Sequence, residues 1–263
     1  KKVNQVLEKG VTPEGYEPYV ESLQKMQELS AILRKAKIER GYIDFDVDEA
    51  KILVDQNCHP VDIVKRYRGV GENMIEDFMI AANECVATHI FYMELPFIYR
   101  VHEYPKEEKQ KEYLGFISSL GYTYTGNMKD WRPKSLQKLL EFLKDKKEYK
   151  ILSSLLLRSM KKAVYQPENV GHYGLASKCY THFTSPIRRY PDTTVHRLLR
   201  TYLFNHDLST ETIKHVQERL PFIAENSSAR ERASIDCERE VEDMKMAEYM
   251  EDHIGEVYEG MIS

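Results

Sequence analysis

Long apolar runs are missing from this 263-residue sequence. No stretch approaches the roughly 18 apolar residues that a membrane-crossing helix needs. The opening KKVNQVLEKG also lacks the apolar segment of a secretory signal. Cysteine is scarce. Cys58, Cys85, Cys179 and Cys237 stand far apart with no Cys-x-x-Cys pair, which argues against a disulfide framework or a cysteine zinc site. Reduced thiols and a cytoplasmic setting are the expectation. Excess positive charge is absent too. The formal net charge is −4, so a polyanionic partner has to be held by a local basic groove rather than by the field of the whole molecule. Internal repeats, low-complexity tracts and flexible linkers are also missing.

What is present is an ordinary globular composition, 42% hydrophobic and 30% charged, long enough for one large domain or two modest ones. Residues 18–38 predict an amphipathic helix with Leu23, Met26, Leu29, Ile32, Leu33 and Ala36 on its apolar face, ended by Gly41. Alternation in YIDFDV predicts a strand, and KILVD and VDIVKRY around Gln56–Pro60 predict a hairpin. A second helix is expected from about Met74 to Leu95, with Ile75, Phe78, Met79, Ala82 and Val86 as its stripe. FIYRVHE reads as a short strand, 106–119 and 134–162 as helices, and HYGLASKCYTHF at 172–183 as another strand. Helices follow at Thr193–Asn205 and Thr210–Met250, the latter broken near Pro221. This order lacks a regular strand–helix alternation, so the fold class is α+β. The tail GEVYEGMIS changes character at Gly255 and reads as the opening strand of a further β domain.

The densest chemistry lies in THFTSPIRRYPDTTVHRLLR at 181–200. Ser185-Pro186 makes a rigid turn. Arg188 and Arg189 follow it, Pro191 suits a first helical position, and Asp192 is a first-turn acid. Two guanidiniums beside a helix N-terminus can clamp an anion. A surface salt-bridge network between the arginines and local acids is the competing reading. Asp192 and His196, at i, i+4, could also form half of a metal site, although a lone pair of that kind is a weak signal.

GHYGLA at 171–176, YTHFTSPIRRYPD at 180–192 and VHR at 195–197 together resemble the signature stretch of the ribonuclease II/ribonuclease R catalytic domain. RGYIDFD (40–46), MIEDFMIAAN (74–83), LPFIYRVHE (95–103) and LLRSMKKAVYQPEN (156–169) agree in order, and they resemble ribonuclease R more than ribonuclease II. The resemblance covers nearly all of 1–254. It implies that 1–254 is the larger, C-terminal part of an RNB-type catalytic domain, incomplete at its N-terminal side, with helices packed around short, mostly antiparallel strands. Residues 255–263 would then open an OB-fold RNA-binding barrel.

The implied activity is processive 3′→5′ hydrolysis of single-stranded RNA to nucleoside 5′-monophosphates. The implied cofactor is Mg2+, two ions held by an aspartate cluster. That motif is not in this sequence and is expected upstream of residue 1, so the chain by itself is expected to be inactive. DFDVDE at 44–49 is acidic but sits in the context of a different family segment, and no metal ligand is assigned there.

By resemblance, Arg188 is the arginine that contacts the scissile phosphate, stabilising charge on its oxygens, and Arg189 is a second phosphate contact. Glu76 is the glutamate near the terminal nucleotide, although a first-turn acid placed for the helix dipole reads equally well. Helical geometry sets it in line with Asn83 for ribose hydroxyls and points Asp77 to solvent. Phe45 is a base-stacking aromatic, although an ordinary core phenylalanine reads equally well. Tyr190 lies along the RNA path, and Glu238 lies near the active centre. His102, Tyr173 and His182 fall in motif stretches without an assignable role. The expected partner is single-stranded RNA, with no membrane and a monomeric protein. A non-catalytic RNA-binding homologue lacking the aspartates is the alternative.

Overall fold

The computed structural model describes residues 1–43, 50–124 and 131–258. They fall into two compact units, Lys1–Phe45 with Arg68–Ser227 and Asp46–Tyr67 with Ser228–Ser263. Most of the expected strand YIDFDV (42–47) and all of the acidic DFDVDE (44–49), with Phe45, lie outside the described residues. So does most of the tail, and residues 256–258 form no regular element. The α+β expectation holds: long helices accompany two two-stranded antiparallel sheets among the described residues.

The first unit opens with α1 (Lys2–Lys9) and α2 (Val20–Arg40), followed by α3 (Val70–Tyr92). α1 was not anticipated, and it serves as a cap. Asn4 Oδ1 accepts the Gly71 N–H at 2.7 Å and Glu8 Oε1 accepts the Val70 N–H at 2.7 Å. Glu72 closes the same end by accepting the Gly69 N–H at 3.1 Å. The first turn of a helix has donors with no intrahelical partner, and here another helix supplies the acceptors. The approach needs glycine, because a Cβ on Gly69 would lie 2.1 Å from the Asn4 amide.

The buried line of α3 differs from the expected stripe. It runs Met74, Asp77, Ile80, Asn83, Ala87, Ile90, whereas Ile75 is 48% exposed. Asp77 therefore faces inward rather than toward solvent. It receives the Lys37 ammonium at 2.9 Å, the Ser30 hydroxyl at 2.8 Å and Arg34 Nε at 3.1 Å. The face that α2 turns to α3 is accordingly partly polar, and Leu29 and Ile32 of its expected apolar stripe are exposed. Two polar positions displaced the register because each has a complete set of distant partners, which a local pattern does not record.

β3 (Tyr99–Val101) pairs antiparallel with β4 (Val164–Gln166). α4 (Glu107–Ser119), α5 (Pro133–Leu143) and α6 (Tyr149–Ser159) lie between them in sequence, so the expected single helix over 134–162 is two. They build one core around Leu136, Leu139, Leu143, Leu152 and Leu156. A second core joins Ile90, Phe97, Ile98 and Val101 to α7 (Tyr190–Leu199), the π-helical turn Arg200–Phe204, and Leu220 and Ala224 of α8 (Thr210–Glu251).

Residues 172–183 are not a strand. The segment makes isolated bridges at His172 and Ser177 around a tight turn in which Ala176 takes φ 49°. The backbone bonds that its alternation promised go instead to β3 and its neighbours, as in Arg100 N–H to Tyr180 O and Tyr173 N–H to His102 O. Nor does Pro221 break α8, which runs on through it with Leu220 and Ala224 buried on either side. An interior proline costs a helix about 3 kcal/mol, and that packing offsets the cost.

The second unit contains the expected hairpin, β1 (Ala50–Val54) with β2 (Pro60–Lys65), antiparallel with an irregularity at Leu53/Val54. His59, in its turn, puts Nδ1 2.9 Å from Glu248 and Nε2 3.0 Å from Asp252 of α8. Lys245 donates to the Cys58 carbonyl at 2.7 Å.

Candidate nucleic-acid interface

The arginine segment folds as a turn at 186–188 leading into α7, whose first residues are Tyr190 and Pro191. Asp192 is completely buried beneath it. Its carboxylate accepts the Ser185 N–H at 2.8 Å and the Arg189 fork through Nε at 2.8 Å and Nη2 at 2.9 Å. Thr193 donates to the Pro186 carbonyl at 2.8 Å. The turn is thus fastened at Ser185, Pro186 and Arg189, while the side chains of Ile187 and Arg188 project into solvent.

The lead into the turn is fastened from two sides. Asn83 of α3 accepts the Phe183 N–H at 3.0 Å and donates to the Tyr180 hydroxyl at 2.9 Å. His196 donates from Nε2 to the Phe183 carbonyl at 2.9 Å, and its ring stacks on Phe183 with centroids 4.4 Å apart. A donating Nε2 fixes the ring's orientation, so the Asp192–His196 pair serves the turn rather than a metal. Among the described residues no three His, Cys, Asp or Glu side chains stand together in a way that could hold an ion.

Behind the turn lies a layer of rings. His102 meets His172 with centroids 5.2 Å apart, His172 meets Tyr180 at 5.2 Å, and Tyr180 meets His182 at 5.8 Å. Tyr165 places its hydroxyl 2.7 Å from His182 Nδ1 and its face under Arg100, 4.6 Å from the guanidinium carbon. Burial, reinforced by Arg189 and Arg100, pulls His182 down to about 2, and burial, reinforced by His102 and Arg100, pulls His172 down to about 3. Burial also lowers His102, against the opposing pull of the Lys161 backbone. These imidazoles are neutral packing elements beneath cationic side chains.

Of the expected site residues, the structure brings together Arg188, Arg189, Tyr190 and Asn83. Arg188 is exposed, whereas two of the Arg189 nitrogens are taken by Asp192. Asn83 is 2% exposed and faces Phe183 and Tyr180. Tyr190 is half-exposed and carries Arg197, whose guanidinium carbon lies 5.7 Å from the ring centre. Glu76 is half-buried, with Tyr42 Oη at 3.4 Å and Arg68 Nη1 at 3.8 Å from its carboxylate. Glu238 is exposed on the part of α8 that belongs to the second unit. Asp192 as the anchor of the turn was missed. Its signal was an acid three residues after an arginine at a helix start, the spacing of a fork across the first turn.

The family description "RNB domain" matches residues 1–205. Ribonuclease R 1 of Lactococcus lactis is 46% identical, over 95% of this chain and 30% of its own length. Ribonuclease R of Thermotoga maritima is 44% identical, over 100% of this chain and 37% of its own length. The chain thus spans about a third of the length of these curated relatives. Among solved structures, RNase R of Mycoplasma genitalium in complex with ribose methylated single-stranded RNA is similar, at 32% identity and a TM-score of 0.91. That match covers 97% of this chain and 40% of the other.

Proposed function

The chain belongs to the RNB-domain family, and from that premise we propose that it is the RNA-handling part of a 3′→5′ exoribonuclease that hydrolyses single-stranded RNA to nucleoside monophosphates. The carrying observation is Arg188, exposed on a turn whose backbone is fastened around it, within the matched region. A guanidinium carried outward on a fastened backbone can offer its donors to phosphoryl oxygens, which is how an enzyme stabilises charge that develops during phosphoester cleavage. Ribonuclease R relatives at 44–46% identity support the reaction type.

In this reading Arg188 acts on the phosphate, and Glu76 addresses the sugar of the terminal nucleotide. Tyr190 with Arg197 lines the path of the strand, and Phe45 as a base-stacking ring and Glu238 are RNA contacts carried over from the sequence reading. Arg189 and Asn83 belong to the same site by holding its turn. Magnesium is the metal of the proposed reaction and the cytoplasm its setting. Among the described residues no cluster of His, Cys, Asp or Glu could hold that ion.

The test is degradation of a 5′-labelled single-stranded RNA by the full-length protein with magnesium. Stepwise shortening from the 3′ end and a strong defect in Arg188→Ala are expected. Arg188→Lys should also be impaired, because a point charge does not reproduce the fork. A wild-type rate in Arg188→Ala would remove this residue from the chemistry. RNA binding without any shortening by the wild type would favour a non-catalytic RNA-binding homologue.

A further inference from the structure

We propose that Asp192 is a positioning residue, which sets Arg188 for the phosphate it meets. The proposal rests on the reading of Arg188 given above. Asp192 is fully buried, and its carboxylate receives donors from both ends of one short turn: the Ser185 N–H at 2.8 Å, and the Arg189 fork at 2.8 and 2.9 Å. The Arg189 N–H also closes back on the Ser185 carbonyl at 3.1 Å. Ser185 and Arg189 bracket Pro186, Ile187 and Arg188, so the three exposed residues are carried on a loop whose two ends share one anchor.

The two adjacent arginines therefore divide the work. Arg189 points inward, its side chain 18% exposed and that of Asp192 not at all. Turning Arg189 out to a phosphate would strand a buried carboxylate, which is strongly unfavourable. Arg188 has no such obligation. A planar fork on a carboxylate fixes orientation as well as distance, and that orientation passes along one peptide unit to the Arg188 backbone. Loss of the anchor leaves the Arg188 charge in place but removes its aim. That loss belongs in the rate of the chemical step more than in the capture of RNA.

The experiment is a double-mutant cycle in the full-length protein, following degradation of a labelled single-stranded RNA with magnesium under multiple-turnover conditions, with melting temperature recorded for each variant. Asp192→Asn should lower kcat by about 100-fold, the scale of an ångström misplacement, with KM nearly unchanged. The same substitution in an Arg188→Ala background should cost almost nothing further, because its effect runs through the missing side chain. Equal losses in the two backgrounds, or a wild-type kcat in Asp192→Asn, overturn the proposal. Arg189→Lys, which keeps the charge and loses the fork, runs through the same cycle and decides the matter should Asp192→Asn not fold. A strong Arg188→Ala defect beside an unaffected Asp192→Asn counts against the anchor alone, whereas an inactive wild type overturns both readings.

Discussion

The carboxylate of Asp77 on α3 and the ammonium of Lys37 on α2 meet at 2.9 Å with side chains 1% and 5% exposed. Ser30 and Arg34 complete the ring around the acid. Breaking such a pair from one side leaves a buried charge. Lys37→Met is therefore expected to destabilise the fold by about 3 kcal/mol, and replacing both residues with apolar ones of similar size should cost far less. Chemical unfolding of the two variants checks this. Burial pushes the Asp77 carboxyl up, but bonds from Lys37, Ser30 and Arg34 outweigh it and hold the group below 3.8. Its folded value is depressed, so its contribution is whole above pH 3.8 and disappears as pH falls below that.

The neutral histidines behind the arginine turn predict an earlier acid weakness. His172 and His182 fall to about 3 and about 2 from 6.5, so below pH 6.5 the unfolded chain takes up protons that the folded chain refuses. Stability should be complete above that pH and decline on acidification by up to about 1.4 kcal/mol per pH unit for each histidine. Denaturant midpoints at pH 7.5 and 5.0 measure it, and His182→Phe should flatten part of the slope. A slope unchanged in that variant counts against the assignment.

His59 behaves in the opposite sense. Carboxylates lie at both of its ring nitrogens, at 2.9 and 3.0 Å, and only the imidazolium donates from both. The bond to Asp252, then that to Glu248, raises it above 6.5. The link between the hairpin turn and α8 should be intact below pH 6.5 and loosen as pH rises through the raised value. An NMR titration of the His59 ring, with amide exchange over residues 50–65, reads both. A midpoint below 6.5 is the contrary result.

The thiols should divide three to one. Cys58, Cys85 and Cys237 are exposed, whereas Cys179 is buried and its sulfur accepts the Asn169 amide at 3.1 Å. Burial pushes the Cys179 thiol up, which further reduces its thiolate. Mass spectrometry during alkylation of the native protein should show three rapid additions and a fourth only on unfolding.

Where an element announces itself through its own residues, the sequence reading located it. The hairpin around Gln56–Pro60, the strand within FIYRVHE and the helix ended by Gly41 are found near their expected places. What escaped depends on partners far along the chain. Asp77 and Asn83 occupy buried positions of α3 because residues 40 to 47 and 97 to 100 places away satisfy them. A periodicity search excludes polar residues from a core face, and so it rotated the helix. Residues 172–183 alternate like a strand, yet the φ of Ala176 turns the chain back. At the site, two readings of the arginine pair were legible, an anion clamp and a salt-bridge network with local acids, and Arg189 on Asp192 is of the second kind. The division between Arg188 and Arg189 was not legible, because it follows from which guanidinium the first turn of α7 folds over Asp192.

The π-helical turn at Arg200–Phe204 carries a consequence of its own. The Asn205 N–H reaches back five residues to the Arg200 carbonyl at 2.9 Å, a wider loop than the α-helix makes. Within it Tyr202 is 1% exposed and donates its hydroxyl to the Pro96 carbonyl at 2.9 Å, and Leu203 and Phe204 border an apolar hollow beside Phe183 and His196. Removing a single residue between Arg200 and Tyr202 would let the segment close with α-type bonds and shift Tyr202 by about 100° around the axis. Tyr202 would leave the interior. Here the number of residues is held more strictly than their identities: the segment can exchange one side chain for another more easily than it can lose a link.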